Sequence, residues 1–183
     1  MITFMKFNKT KIENCFRVEL NKIQDQRGFF SRMYCLKENK NNKIMINNFV
    51  QSNNSYNLKK GTFRGLHFQK KPYEEDKLIR CINGEVFFVI LDLRKRSKTY
   101  LKTISMRINS KNRSMILIPK GCANGYLTLK NNTELLYFCS NYYAPKFADG
   151  LRYNDKLIKI KFPIKIKHIN KKDLEWKDFK ISK

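Results

Sequence analysis

Short apolar segments alternate with turn residues along most of the chain. Eight of them, five to nine residues long, have the alternating or continuous apolar pattern typical of strands. They span 15–20, 44–50, 62–68, 77–82, 85–93, 114–119, 135–139 and 157–163. No segment keeps a helical period over three turns, and only 169–180 is predicted to form a short helix. The pattern predicts an all-β sandwich or barrel.

Turn residues separate the predicted strands. Asn83-Gly84 lies between two apolar segments, which is the pattern of a two-residue β-hairpin because both residues adopt positive φ. Pro119-Lys120-Gly121 and Lys130-Asn131-Asn132 predict further turns, and the polar stretch 37–43 predicts a solvated loop. The sequence contains no linker or repeat, so we expect residues 1–183 to form a single domain.

The composition excludes a disordered chain, since 42% hydrophobic and 13% aromatic residues suffice for a core. Its formal net charge is +24, and 29 of the 39 basic residues are lysines spread along the whole chain. No stripe of arginines among aromatic residues stands out. This favours solvated surface lysines over a nucleic-acid site, although the excess charge would attract an anionic substrate.

The sequence also indicates the cellular compartment in which the protein is expected. No apolar segment approaches the roughly 20 residues of a membrane-spanning helix, and the first residues show no signal peptide. The five cysteines are odd in number and form no CxxC pair. We therefore expect reduced thiols in a cytoplasmic protein with no membrane partner.

His67 lies in a predicted strand, within the segment TFRGLHFQ. In an uninterrupted strand it would share a face with Gly65 and not with Arg64, but a glycine in a strand often marks a bulge that breaks the alternation. His168 is the only other histidine. Since a catalytic metal held by several imidazoles needs more of them, we expect no metal centre.

Lys77 and Tyr137 also lie in predicted strands. A His base, a Lys cation and a Tyr acid inside one barrel would suit proton abstraction next to a carbonyl group. Spacing alone does not bring these residues together. Taken singly, each residue is better explained by a structural role. His67 would be a structural histidine, Lys77 a surface lysine and Tyr137 a half-buried strand residue.

The order of several motifs is more specific. They span about residues 14–176 and include RGFF (27–30), QSNNS (51–55), FRGLHFQ (63–69), DKLIR (76–80), GEV (84–86), DLR (92–94), IPKGCANGY (118–126) and YYAP (142–145). This series resembles the dTDP-4-dehydrorhamnose 3,5-epimerase family. The resemblance implies a cupin-type β jelly roll, usually a homodimer, that uses no metal or organic cofactor.

The resemblance also implies roles by matched position. His67 matches the general base, Lys77 the group that stabilises an enolate, and Tyr137 the opposing acid. Asp173 matches the carboxylate that pairs with the histidine and fixes its tautomer. The motif around Asp173 departs from the family pattern, so Asp155 is an alternative for this carboxylate.

Substrate-binding residues are implied in the same way. Arg27 and Arg64 match residues that bind the nucleotide diphosphate, where bidentate contacts favour Arg even in a Lys-rich chain. The remaining matches line the site or stack on the base, and they are Phe30, Gln51, Asn53, Asn124 and Tyr143.

Two positions depart from the family pattern. Asn124 stands where the family has a histidine that faces the sugar pocket, and Arg32 stands where it has a glutamate. The resemblance implies an epimerase that inverts C3, C5 or both in a nucleotide-linked 4-keto-6-deoxy sugar. The alternatives are an epimerase of one carbon on another nucleotide or sugar, and a non-catalytic carbohydrate-binding jelly roll.

Overall fold

A computed structural model describes residues 4–44, 46, 48–155 and 160–180. Its strands are β1 (Met5–Lys9), β2 (Phe16–Leu20), β3 (Ile23–Asp25), β4 (Gly28–Phe30), β5 (Gln51–Asn57), β6 (Thr62–Gln69), β7 (Lys77–Asn83), β8 (Glu85–Asp92), β9 (Thr103–Asn109), β10 (Met115–Ile118), β11 (Cys122–Thr128), β12 (Thr133–Cys139), β13 (Ala148–Gly150) and β14 (His168–Ile169). The helices are α1 (Leu36–Asn41) and α2 (Lys171–Leu174). Within the described part of the chain, no helix is both long and apolar enough to span a membrane.

Most strands belong to two antiparallel sheets. The first sheet has the order β1-β2-β10-β7-β12-β5, and the second has the order β13-β6-β11-β8-β9, with β14 parallel to β6. Strands β3 and β4 form a separate hairpin. From β5 to β8, successive strands alternate between the two sheets. The predicted all-β jelly-roll fold is therefore confirmed.

Both faces of the central strands are buried, which explains their continuous apolar sequences. On β8, Val86, Phe88 and Ile90 pack between the sheets, whereas Val89 and Leu91 pack on the outer face of the second sheet. The outer face of the first sheet is also covered. Apolar side chains from the segment 33–49 pack there against β7 and β10.

The predicted strands at 15–20, 62–68, 77–82, 85–93, 114–119 and 135–139 are confirmed, with bounds shifted by one or two residues. The predicted strand at 44–50 is wrong in its described residues, which are irregular and pack Ile44, Ile46 and Phe49 on the first sheet. The loop predicted at 37–43 is wrong for residues 37–41, which form most of α1. Of the strand predicted at 157–163, residues 157–159 lie outside the described residues and the rest is irregular.

The hairpin predicted at Asn83-Gly84 is also wrong. β7 pairs with β10 and β12 in the first sheet, whereas β8 pairs with β9 and β11 in the second. Gly84 has a φ of 76°, as expected, but Asn83 is not among the described residues with positive φ. A local sequence pattern predicts that the chain turns, but it does not specify which sheet the next strand joins.

A bulge interrupts β6, as its glycine suggested. Asn124 on β11 pairs with His67, but Tyr126 pairs with Arg64, so two residues of β6 oppose one residue of β11. Gly65 lies at this bulge with a φ of 135°. Because the bulge adds one residue to the alternation, Arg64 and His67 both face the same cavity.

Substitution of Gly65 by alanine tests this packing. The added Cβ would lie 2.5 Å from Cα of Gly125, on backbone with a φ that L side chains rarely adopt. We expect a loss of roughly 2–6 kcal/mol in the free energy of unfolding, from strain plus overpacking. Gly28 is a matched control, since its φ is 132° and nothing lies within 4 Å of an added Cβ. Urea unfolding that shows equal losses for Gly65→Ala and Gly28→Ala would contradict the packing argument.

Candidate active site

A cavity of about 840 Å³ lies between the two sheets, and its walls come from both. The second sheet contributes Arg64 and His67 on β6, and the first contributes Lys77 on β7 and Tyr137 on β12. The segment that contains β14 and α2 closes one side. The fold therefore brings His67, Lys77 and Tyr137 into one cavity, which their spacing in the sequence could not predict.

His67 is held by a buried carboxylate. Its Nε2 lies 2.7 Å from Oδ1 of Asp173, which is 3% exposed. The backbone N–H of Gly65 donates to Oδ2 of Asp173 at 3.1 Å, and the indole N–H of Trp176 donates to Oδ1 at 3.3 Å. Asn170 caps α2 by accepting from the backbone N–H of Asp173. Helix α2 thus fixes the carboxylate behind the imidazole.

The surroundings of Asp173 favour its ionised form. Burial opposes ionisation, but the hydrogen bonds from His67, Gly65 and Trp176 outweigh it, and the pKa of Asp173 is lowered. An ionised carboxylate only accepts hydrogen bonds. It follows that Nε2 of His67 donates to Asp173 and that Nδ1 is the ring nitrogen not used by this carboxylate.

The alternative carboxylate, Asp155, has a different position. It is buried, and its Oδ2 accepts a hydrogen bond from the backbone N–H of Phe179 at 2.5 Å. It does not line the cavity. The carboxylate that contacts His67 is Asp173.

Lys77 and Tyr137 form the wall opposite His67. Nζ of Lys77 lies 3.0 Å from Oε1 of Glu75, and both side chains are largely buried. Burial raises the pKa of Tyr137 to about 12, and the nearby Cys139 and Glu75 act in the same direction. Cys139 faces Lys77 across β12 and β7. The Tyr137 hydroxyl therefore stays protonated at neutral pH.

Arg64 is oriented by a buried amide. Its Nε donates to Oδ1 of Asn57 at 2.8 Å, and Nδ2 of Asn57 donates to the carbonyl oxygen of Thr133 at 3.1 Å. This leaves the terminal nitrogens of the Arg64 guanidinium available at the cavity wall. A guanidinium fixed in this way is suited to bidentate contact with a phosphate.

Polar residues on β5 and the loop after β12 line the rest of the cavity. Nε2 of Gln51 donates to Oδ1 of Asn53 at 3.1 Å, and Oε1 of Gln51 accepts from the backbone N–H of Tyr143 at 3.1 Å. The ring of Tyr143 is exposed at this edge. All three residues line the cavity, and their contacts with a substrate stay predictions.

Three predicted site residues do not line this cavity. Arg27 and Phe30 belong to the exposed β3–β4 hairpin. Arg27 lies in its turn and forms an ion pair with Asp25. Phe30 lies in β4 and packs against Phe4. Asn124 is buried, and its Nδ2 donates to the backbone carbonyl of His67 at 3.2 Å. Asn124 pairs with His67 in the β6–β11 ladder, so its side chain lies on the same face of the sheet as the imidazole. Its amide supports the backbone of His67, and a contact between Asn124 and the substrate stays a prediction.

Sequence reasoning missed Glu75, Cys139 and Trp176, which also line the cavity. Trp176 follows Asp173 by three residues, and its ring lies edge-on to His67 with centroids 6.3 Å apart. Trp176 lies two residues beyond the end of α2, so its closeness to Asp173 in the sequence is the local signal that could have linked the two residues. Among the described residues, no group of three or more His, Cys, Asp or Glu side chains is placed to hold a metal ion.

Comparison with known proteins identifies the family of this chain. The family model for dTDP-4-dehydrorhamnose 3,5-epimerase matches residues 9–180. The chain belongs to this family. It is 35% identical to the dTDP-4-dehydrorhamnose 3,5-epimerase of Shigella flexneri over 96% of both chains. The corresponding epimerase of Methanothermobacter thermautotrophicus is also 35% identical, over 94% of this chain and 93% of the other.

Solved structures of epimerases in this family have the same fold. The Bacillus anthracis enzyme, determined with TDP and pyrophosphate bound, matches 96% of this chain and 99% of its own with a TM-score of 0.91 and 34% identity. The Legionella pneumophila enzyme, in complex with dTDP-4-keto-L-rhamnose, matches 95% of this chain and 92% of its own with a TM-score of 0.88 and 30% identity. The resemblance stated from the motifs is confirmed.

Replacing Asp173 by asparagine tests the charge behind His67. Because the pKa of Asp173 is lower in the folded protein than its ordinary value of 3.8, the ionised carboxylate stabilises the fold above that pH. This stability is lost as the pH falls through the folded-state pKa. We expect Asp173→Asn to lower the free energy of unfolding by about 1.5–3 kcal/mol at neutral pH and by less in acid.

Urea unfolding of both proteins at about pH 7 and about pH 3 measures this difference. Asp178→Asn is the control, since the exposed pair of Asp178 with Arg152 contributes little to stability. An equal loss at both pH values for Asp173→Asn would show that its charge is not involved.

Proposed function

We propose that this chain is an epimerase that inverts C3, C5 or both in a dTDP-linked 4-keto-6-deoxy sugar. The observation that carries the proposal is the cavity in which His67, oriented by Asp173, faces Lys77 and Tyr137 from the opposite sheet. Membership of the dTDP-4-dehydrorhamnose 3,5-epimerase family names the substrate class.

His67 is the proposed base. The ketone at C4 acidifies the hydrogens on C3 and C5, because loss of either proton gives an enolate whose charge rests on the C4 oxygen. Nδ1 of His67 takes the proton while Nε2–H remains hydrogen-bonded to Asp173. The ionised Asp173 stabilises the resulting imidazolium.

Lys77 and Tyr137 complete the proposed reaction from the other sheet. The electron pair of the broken C–H bond forms the carbon–carbon double bond of the enolate, and the Lys77 ammonium donates a hydrogen bond to its oxygen. Tyr137 then delivers its hydroxyl proton to the carbon from the opposite face, which inverts that centre. His67 loses a proton to water and Tyr137 regains one, so the site returns to its initial state.

Arg64 is the proposed diphosphate ligand, with Gln51, Asn53 and Tyr143 as further substrate contacts. Contacts to the nucleotide position the sugar between base and acid, so that binding energy far from the reacting carbon lowers the barrier. The net charge of +24 attracts this anionic substrate. We place the reaction in the cytoplasm, since all five cysteines are free thiols.

In this proposal, Arg27 and Phe30 contribute to the cavity of a second copy of the chain and not to that of their own. The β3–β4 hairpin leaves Ile23, Phe29 and Phe30 exposed by 40–61%. Exposed apolar side chains around an arginine are suited to pack against another protein surface. We propose a homodimer in which the hairpin of each protomer carries Arg27 to the diphosphate end of the partner's cavity.

Proton NMR in D₂O with dTDP-4-keto-6-deoxyglucose tests the reaction. We expect the C3 and C5 proton signals to disappear as solvent deuterium is incorporated. His67→Ala and Tyr137→Phe are each expected to slow exchange by about a hundredfold or more, the usual scale for a positioned acid or base. Tyr56→Phe removes an exposed hydroxyl outside the cavity and is the control.

The outcome separates the alternatives. Loss of a single signal identifies an epimerase of one carbon. Substrate binding without any exchange identifies a carbohydrate-binding jelly roll and overturns the catalytic proposal. Full activity in His67→Ala or Tyr137→Phe overturns the role of that residue.

Mixing two inactive variants tests the proposed dimer. In a dimer of Arg27→Ala with His67→Ala, one cavity has both an intact His67 and an intact Arg27 from the partner hairpin. Random exchange of protomers is therefore expected to restore about a quarter of the wild-type rate. Size-exclusion chromatography confirms the dimer, and failure of the mixture to exceed the separate variants contradicts shared sites.

A further inference from the structure

Glu75 is a buried acidic residue of the cavity that the reaction described above does not use. Its Oε1 lies 3.0 Å from Nζ of Lys77, and the side chains of the two residues are 9% and 14% exposed. Both line the same cavity as His67 and Tyr137. The Glu75 carboxylate lies beside Lys77, the proposed ligand of the enolate oxygen. Its negative charge repels the negative charge that develops on this oxygen, so its presence needs a physical explanation.

Local structure fixes the direction of Glu75. Asp76, the residue between Glu75 and Lys77, is buried on the other side of the chain. Its Oδ1 accepts from the backbone N–H of Lys120 at 2.9 Å, and its Oδ2 accepts from the hydroxyl of Ser140 at 3.3 Å. Since side chains alternate in extended backbone, anchoring Asp76 turns both Glu75 and Lys77 into the cavity.

We propose that Glu75 is a positioning residue whose carboxylate holds the Lys77 ammonium at the cavity wall, where the C4 oxygen of the substrate comes to lie. The inference rests on the proposed epimerase function. A lysine side chain is flexible, and its ammonium group has three donors. One hydrogen bond to Glu75 fixes the ammonium and leaves two donors for the substrate.

The negative charge of Glu75 has a second consequence. It is one of the causes that keep the pKa of Tyr137 high, after burial and the neighbouring Cys139 and Tyr126. Arg64 acts in the opposite direction from β6. His67 and Asp173 face the same space from β6 and α2. Removing only the charge of Glu75 therefore lowers the pKa of Tyr137.

Rates of deuterium exchange, measured from about pH 6 to about pH 12 so that the range reaches the pKa of Tyr137, test both consequences. Glu75→Ala is expected to lower kcat by about tenfold or more and to change KM by less than about threefold, since a misplaced group costs rate more than binding. Glu75→Gln is expected to recover most of this kcat at neutral pH, because its amide oxygen still accepts from Lys77. Its activity is expected to decline at a lower alkaline pH than that of the wild type, because Tyr137 loses its proton more readily.

Glu74→Gln is the matched control, since the neighbouring carboxylate does not line the cavity. Wild-type kcat in Glu75→Ala, or an unchanged alkaline limb in Glu75→Gln, overturns the inference while the epimerase function stands. Absence of exchange by the wild-type protein overturns the proposed function and this inference with it. If Glu75→Ala does not fold, as thermal unfolding would show, the pH profile of Glu75→Gln decides.

Discussion

The close approach of β6 to β11 at Gly65 and Gly125 is the constraint on which the site depends. No side chain fits between the two strands there, since an added Cβ on Gly65 would overlap Gly125. The bulge that accompanies this contact turns Arg64 and His67 to the same cavity. It also presents the backbone N–H of Gly65 to Asp173, so one local irregularity places Arg64, His67 and the carboxylate that holds His67.

The two walls of the cavity have different electrostatic character because they belong to different sheets. Behind His67 on the second sheet lies an ionised carboxylate that belongs to α2 and accepts a hydrogen bond from the backbone N–H of Gly65 on β6. On the first sheet, a Lys–Glu pair lies next to a tyrosine whose high pKa keeps it protonated. In the proposed reaction, the base His67 therefore faces the acid Tyr137 across the space where the sugar ring would lie, which is the arrangement that inversion of a carbon centre requires.

The inward-facing polar residues of β5 line the cavity or orient Arg64, and they do not pack in the hydrophobic core. β5 has the sequence QSNNSYN, and its inward-facing residues include Gln51, Asn53 and Asn57. This strand has no apolar alternation, and so hydrophobic patterning missed it. The same explanation holds for Glu75, whose neighbours in sequence give no sign that it faces a cavity.

The sequence by itself determined the class of fold, most of the strands and the residue types of the site. Apolar segments broken by turn residues are a local property, and family motifs such as FRGLHFQ mark positions whatever the packing. Only the tertiary structure decided that Asn83-Gly84 joins two sheets, that Asp173 and not Asp155 contacts His67, and that the Asn124 amide supports the backbone of His67. These outcomes depend on contacts between residues distant in the chain, which no local pattern of side chains can specify.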